Sequence, residues 1–197
     1  TEPERVQEAR RVAGSIPVLT GRDTMAIAVS AALSMTLAEN GCPPRAGRVV
    51  IAGADTMPIL CPLLLAAGIG DITTWSLADA IAFPLRRVAV GADVVIDLLG
   101  GVARLSGISD PLGGPAVLLP DETRDPLLAL PGLARAMTVV PGAKPTIDAF
   151  HACVLALVTA TPPGQTLPHA PDHAISAAVA DAATRALRPP AAAPATG

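Results

Sequence analysis

Aromatic residues are nearly missing from this chain of 197 residues: they make up 2%, with two Phe, one Trp and no Tyr. Hydrophobic residues nevertheless reach 51%, so the core must be aliphatic, built from Ala, Val, Ile and Leu. That disfavours an all-β sandwich and favours a parallel sheet buried under alanine- and leucine-rich helices. Nucleic-acid binding lacks both its usual ingredients. The net charge is −3, and no stretch joins Lys or Arg to stacking aromatics. Long apolar runs are missing too. Ala26 to Ala38 and Met57 to Ile69 are the best candidates, and both are too short to span a bilayer. No membrane partner is expected, and no charged-then-apolar leader opens the sequence. Cysteine is scarce and odd in number. Cys42, Cys61 and Cys153 lie far apart, which suits packed thiols of a reduced, cytoplasmic protein better than a disulfide framework or a zinc site. His169 and His173 are four apart, but Pro171 holds the first outside a helix, so no metal site is expected.

What is present alternates strand and helix. Residues 1–14 read as an amphipathic helix with Val6, Ala9, Val12 and Ala13 on one stripe, followed by an extended "SIPVL". "GRDTMAIAVSAALSMTLAENG" reads as a long helix, apolar almost all round, with Asp23 or Thr24 as N-cap and Gly41 as C-cap. "RVVIAG" is a buried strand, and "MPILCPLLLAAG" a helix in which Pro58 suits the first turn and Pro62 fits less well. "DITTWS", "DVVIDLLGG" and "GPAVLLPD" are further strands, with "ADAIAFPLRRVAVGA" a broken helix among them. "DPLLALPGLARAM", "TIDAFHACVLALVTA" and "DHAISAAVADAATRAL" are helical. The pattern predicts one α/β domain over 1–188, a doubly wound, mainly parallel sheet flanked by helices (Rossmann-like), with a disordered tail at 189–197.

The order of these pieces resembles the NAD-binding domain of malic enzymes along nearly the whole chain. "SIPVLTGRDTMAIAVSAALSMTL" is similar to that family's strand, Asp-bearing turn and alanine-rich helix. "VVIAGADTMPILCPLLLAAGIGDI" resembles its glycine turn and following helix, and "GADVVI" a later strand. "LLALPGLARAM", "TIDAFHACVLAL" and "LPHAPDHAISAAVADAA" keep its closing rhythm. The resemblance implies a Rossmann-like fold, NAD(P) as cofactor, and dimers.

At the functional positions the chain departs from that family. The glycine turn keeps Gly53, but Asp55 stands at its second glycine and Pro58 at its third. A carboxylate at the second place would face a doubly charged pyrophosphate and occupy the positive end of the helix that a phosphate uses. Where the family has an acid for the adenosine ribose, this chain has Trp75 and Ser76, with Arg86 and Arg87 nearby. The family's metal-binding aspartate pair corresponds to "TGRD", where only Asp23 is acidic. Its asparagine-rich loop corresponds to "PDETRDP". The family's catalytic Lys and Tyr have no counterpart, since there is no Tyr and the one Lys, Lys144, lies in a late loop. Malate oxidation by this chain alone is not expected. If NAD(P) is retained, Gly53, Ala54 and Ser76 are its expected contacts.

In a doubly wound fold, residues at the carboxyl ends of strands face the binding crevice. That places Asp55, Ser76, Asp97 and Asp121 there, with Asp23 approaching from the long helix. Clustered carboxylates suit general acid–base work, one giving a proton as another takes one. Arg22 and Arg124 supply cations for an anionic substrate, with Ser76 as a further contact. The sequence therefore carries three readings. The first is a repurposed domain, without cofactor, isomerising, dehydrating or cyclising a small metabolite in bacterial specialised metabolism. The second is an NAD(P)-dependent oxidoreductase. The third is a non-catalytic scaffold that dimerises. His151 reads as a core or interface residue, and Ser106 and Ser109 have no adjacent base.

Overall fold

Four short strands set the architecture: β1 (Arg48–Ala52), β2 (Asp71–Trp75), β3 (Val94–Asp97) and β4 (Ala116–Leu118). The computed structural model describes residues 4, 5, 8, 18–105, 107–108, 114–120, 127–162, 164–165, 167–168 and 170–188. The sheet is parallel throughout, in the order β2-β1-β3-β4. In this register Ala52 pairs with both Trp75 and Asp97, so three strands end on one line. The chain steps from β1 out to β2, then returns to β3 on the far side of β1. The boundary between β1 and β3 is therefore the topological switch point, where open α/β sheets leave a crevice.

Both faces of the central strands β1 and β3 are apolar, as buried parallel strands require. Val49, Ile51, Val94 and Ile96 face a large core, while Val50, Ala52, Trp75 and Val95 face a smaller one. The large core is covered by α1 (Gly21–Glu39), α2 (Leu60–Ala66) and α6 (Ile147–Ala160), backed by α5 (Leu130–Val139) and α7 (His173–Leu187). Gly132 lets α5 and α7 cross closely: a Cβ there would lie 2.6 Å from the Ser176 carbonyl oxygen. The smaller core is closed by short pieces, α3 (Leu85–Val88) and the stretch from α4 (Val102–Leu105) to Ile108. Trp75 is pinned there by its Nε1, which donates to the Phe83 carbonyl at 2.7 Å.

The long helix is buried on all sides, with residues 26–33 all enclosed, as its unbroken apolar run predicts. It starts earlier than its sequence suggests. Thr20, not Asp23 or Thr24, is the N-cap, and Asp23 closes a capping box from the third helical position. The helix after β1 starts later. It opens at Leu60, which leaves Pro58 in the preceding turn and moves Pro62 into the first turn, where its missing N–H has no partner to lose. The predicted broken helix is a 3₁₀ turn, Leu77–Asp79, followed by α3. Most of the predicted helix at 1–14, the "SIP" of the next stretch up to residue 17, and the tail at 189–197 lie outside the described residues. Glu4, Arg5 and Glu8 are helical. Among the described residues no helix is long and apolar enough to cross a membrane.

Candidate functional site

Of the sequence-predicted residues, Gly53, Ala54 and Asp55 follow the carboxyl end of β1, Ser76 that of β2, and Asp97 closes β3. β1 runs into Gly53, whose φ of 82° puts it in the left-handed region that glycine takes without steric cost. Its N–H donates to the Trp75 carbonyl at 2.8 Å, tying the turn to the end of β2. Ala54–Thr56 then form a 3₁₀ turn rather than the first turn of a long helix. The Thr56 amide bonds the Gly53 carbonyl at 2.9 Å and the Met57 amide bonds the Ala54 carbonyl at 3.1 Å. The Thr56 hydroxyl also donates to the Gly53 carbonyl, at 2.8 Å. Those two amides are satisfied within the turn, where a phosphate-binding turn would leave them pointing outward.

α1 meets this turn from the side. Arg22, in its first turn, donates from Nη1 to the Thr56 carbonyl at 2.9 Å. This fixes a guanidinium one residue from Asp55, which is exposed. Arg22 and Asp55 are thus brought to the same turn. Asp23 is 6% exposed and accepts from the amide and the hydroxyl of Thr20, each at 2.8 Å. It holds the start of the helix, a structural use that also explains why an acid sits at that position.

Asp97 has the most committed carboxylate of the set. It is fully buried at the end of β3. Its Oδ1 accepts from the Leu99 amide at 3.0 Å, and its Oδ2 from the Gly101 and Ala103 amides at 3.0 and 2.8 Å. The sequence placed Asp97 at the crevice as a catalyst; the structure uses both of its oxygens to form the turn into α4. Ser76 donates its hydroxyl to Asp79 at 2.8 Å and its amide to the same oxygen at 3.2 Å. Arg86 and Arg87 are exposed on α3. Asp121 and Arg124 lie outside the described residues, as do Ser106, Ser109 and His169.

Sequence reasoning missed Leu99. It stands two residues past the end of β3, and a Cβ added to Gly53 would lie 2.6 Å from its Cδ2 and 2.7 Å from its Cγ. Leu99 therefore lies directly on the glycine of the β1 turn, across the switch point. The only signal in the sequence is an apolar pair between Asp97 and the flexible Gly100–Gly101. A surface groove of about 680 Å³ between α6 and α7 is lined by alanines with Leu155, Thr159, Asp181 and Arg185, and contains none of these residues. Among the described residues no group of three or more His, Cys, Asp or Glu is placed to hold a metal ion.

No family model matches the chain, and no curated protein matches it in sequence. Solved structures do match it. One assigned as a malic enzyme (malate oxidoreductase) superposes with a TM-score of 0.71 at 17% identity, over 93% of this chain and 64% of the other. The fold is malic-enzyme-like. The NAD-dependent malic enzyme of Thermotoga maritima gives 0.70 at 17% identity, over 93% of this chain and 64% of that one. The malic enzyme of Pyrococcus horikoshii gives 0.65 at 16% identity, over 90% and 56%. The chain thus spans 64% of the length of the first two structures it matches.

Proposed function

We propose that this chain is a malic-enzyme-like domain turned to acid–base chemistry on a small anionic metabolite, without a nicotinamide cofactor. The observation that carries this reading is the Arg22 guanidinium held on the Thr56 carbonyl, one residue from the exposed Asp55. Arg22 would bind a substrate carboxylate or enolate oxygen through charge-assisted hydrogen bonds. Asp55 would move the proton at the neighbouring carbon or oxygen. Asp121 and Arg124, expected at the end of β4, complete the set in this proposal. Asp97 and Asp23 are assigned to structure. Isomerisation, dehydration and cyclisation all fit a cation beside one carboxylate, and a dimer in the cytoplasm of a bacterium making specialised metabolites is the setting we propose.

Two observations favour NAD(P) as the competing reading: Gly53 keeps the left-handed conformation of a dinucleotide turn, and one of the matched structures is an NAD-dependent malic enzyme. The turn chemistry argues against it here. The amides of Thr56 and Met57 are already bonded, and Asp55 would repel a pyrophosphate. A panel of enolisable 2-oxo acids and dicarboxylates incubated in D2O tests the acid–base reading through exchange of carbon-bound protons, followed by NMR. Exchange that falls at least a hundredfold in Asp55→Asn is the expected result. Exchange unchanged by Asp55→Asn, or none across the panel, contradicts the reading and favours a scaffolding role.

A further inference from the structure

We propose that Leu99 determines ligand specificity in this crevice by closing the β1–β3 switch point to a dinucleotide. This rests on the cofactor-free reading above and adds the residue that enforces it. A pyrophosphate needs polar backbone at close range in the glycine turn. Beside the first glycine of that turn, at the switch point, Leu99 presents hydrocarbon, with its Cγ and Cδ2 lying where even a single methyl on Gly53 would not fit. It covers the turn while offering no hydrogen bond to a phosphate oxygen.

The backbone that carries Leu99 is held on both sides. Its own amide is bound by Asp97 Oδ1, and the two amides on Asp97 Oδ2 fix the backbone on its far side, at Gly101 and Ala103. On its near side the Leu98 amide extends the ladder to the Ala52 carbonyl at 3.0 Å. Gly100 and Gly101, at φ of 78° and 115°, allow the chain to curl tightly enough for these bonds. The buried carboxylate thus positions the backbone of Leu99, whose side chain lies against the first glycine of the turn at the β1–β3 switch point.

The test is titration of NADH and NADPH by nucleotide fluorescence against full-length wild type, Leu99→Gly, Leu99→Ala, Asp55→Gly, and Leu99→Gly combined with Asp55→Gly. Leu99→Met keeps the bulk and serves as control, and circular dichroism confirms folding of each variant. The expected result is no saturation below millimolar nucleotide for wild type and Leu99→Met. Opening position 99 should tighten binding at least tenfold, most in the double variant. If folded Leu99→Ala and the double variant bind no better than wild type, the role of Leu99 is overturned while the cofactor-free reading stands. If Asp55→Gly alone restores binding as fully as the double variant, charge rather than bulk decides and the inference about Leu99 also falls. Tight binding by wild type overturns both.

Discussion

Arg22 and Thr56 are 34 residues apart in sequence, and 2.9 Å separates the Nη1 of one from the carbonyl oxygen of the other. This bond joins the first turn of the long buried helix to the glycine turn after β1, so the candidate site is assembled from two elements that the sheet does not itself connect. Replacing Arg22 by Ala leaves the Thr56 carbonyl to water. With the site partly open, the loss should be modest, about 1 kcal/mol. Urea unfolding of Arg22→Ala measures it, and Arg22→Lys should recover only part, because one ammonium cannot reproduce a planar fork.

Asp97 should be far less tolerant. Asp97→Ala would leave the amides of Leu99, Gly101 and Ala103 without their acceptor in a buried setting. A loss of about 3 kcal/mol or more is expected, since unmade bonds to a buried charged group are costly. Asp97→Asn keeps one acceptor oxygen but turns an NH2 toward donors, so it should recover little. Thermal unfolding of the two variants against wild type checks this, and a loss below about 1 kcal/mol would contradict the structural assignment of Asp97.

Gly53 and Leu99 should be coupled. Gly53→Ala meets two obstacles, a left-handed φ of 82° and a side chain 2.6 Å away. The first costs about 1–2 kcal/mol wherever it occurs, and the second is removable. In a double-mutant cycle, Gly53→Ala should cost less in a Leu99→Ala background, with a coupling of about 1 kcal/mol. Additive effects would show that Leu99 does not sit on the glycine.

How much of this could be read in the sequence depends on the range of the interactions. The strands were legible because short aliphatic runs bounded by glycine have few alternatives, and α1 because an almost wholly apolar helix must be buried. Thr20 as N-cap was missed because its box partner is Asp23, and an acid in "TGRD" invites the cap role for itself. The hydrogen bonding of Asp97 was hidden for a related reason. An acid at the end of a strand is a candidate catalyst by position. Whether its oxygens are free depends on the amides two, four and six residues later. Those reach it only through the positive φ of Gly100 and Gly101. The contact of Leu99 with Gly53 was beyond reach, because no periodicity links a side chain after β3 to a backbone after β1.

The cysteines give a pH-dependent test of the core. Burial in α6 pushes the Cys153 thiol up to about 12 from an ordinary 9.0, and burial, then the nearby Asp93 carboxylate, raises Cys42 as well. The unfolded chain releases the Cys153 proton near 9.0 while the folded chain holds it to about 12, so stability should fall as pH rises through that window. Below 9.0 this contribution is constant. At pH 8 only about one Cys153 in ten thousand would be thiolate, so a thiol reagent should modify it only on unfolding. Rapid labelling of Cys153 in the native protein would show that α6 is not packed as described.

Isothermal calorimetry of the wild-type chain with NADH and NADPH tests the central claim most directly. With Leu99 on Gly53, the Thr56 and Met57 amides closed within the turn, and Asp55 exposed above it, the predicted result is no binding of either nucleotide below millimolar concentration. A saturable heat with a sub-millimolar dissociation constant for either one would contradict the account.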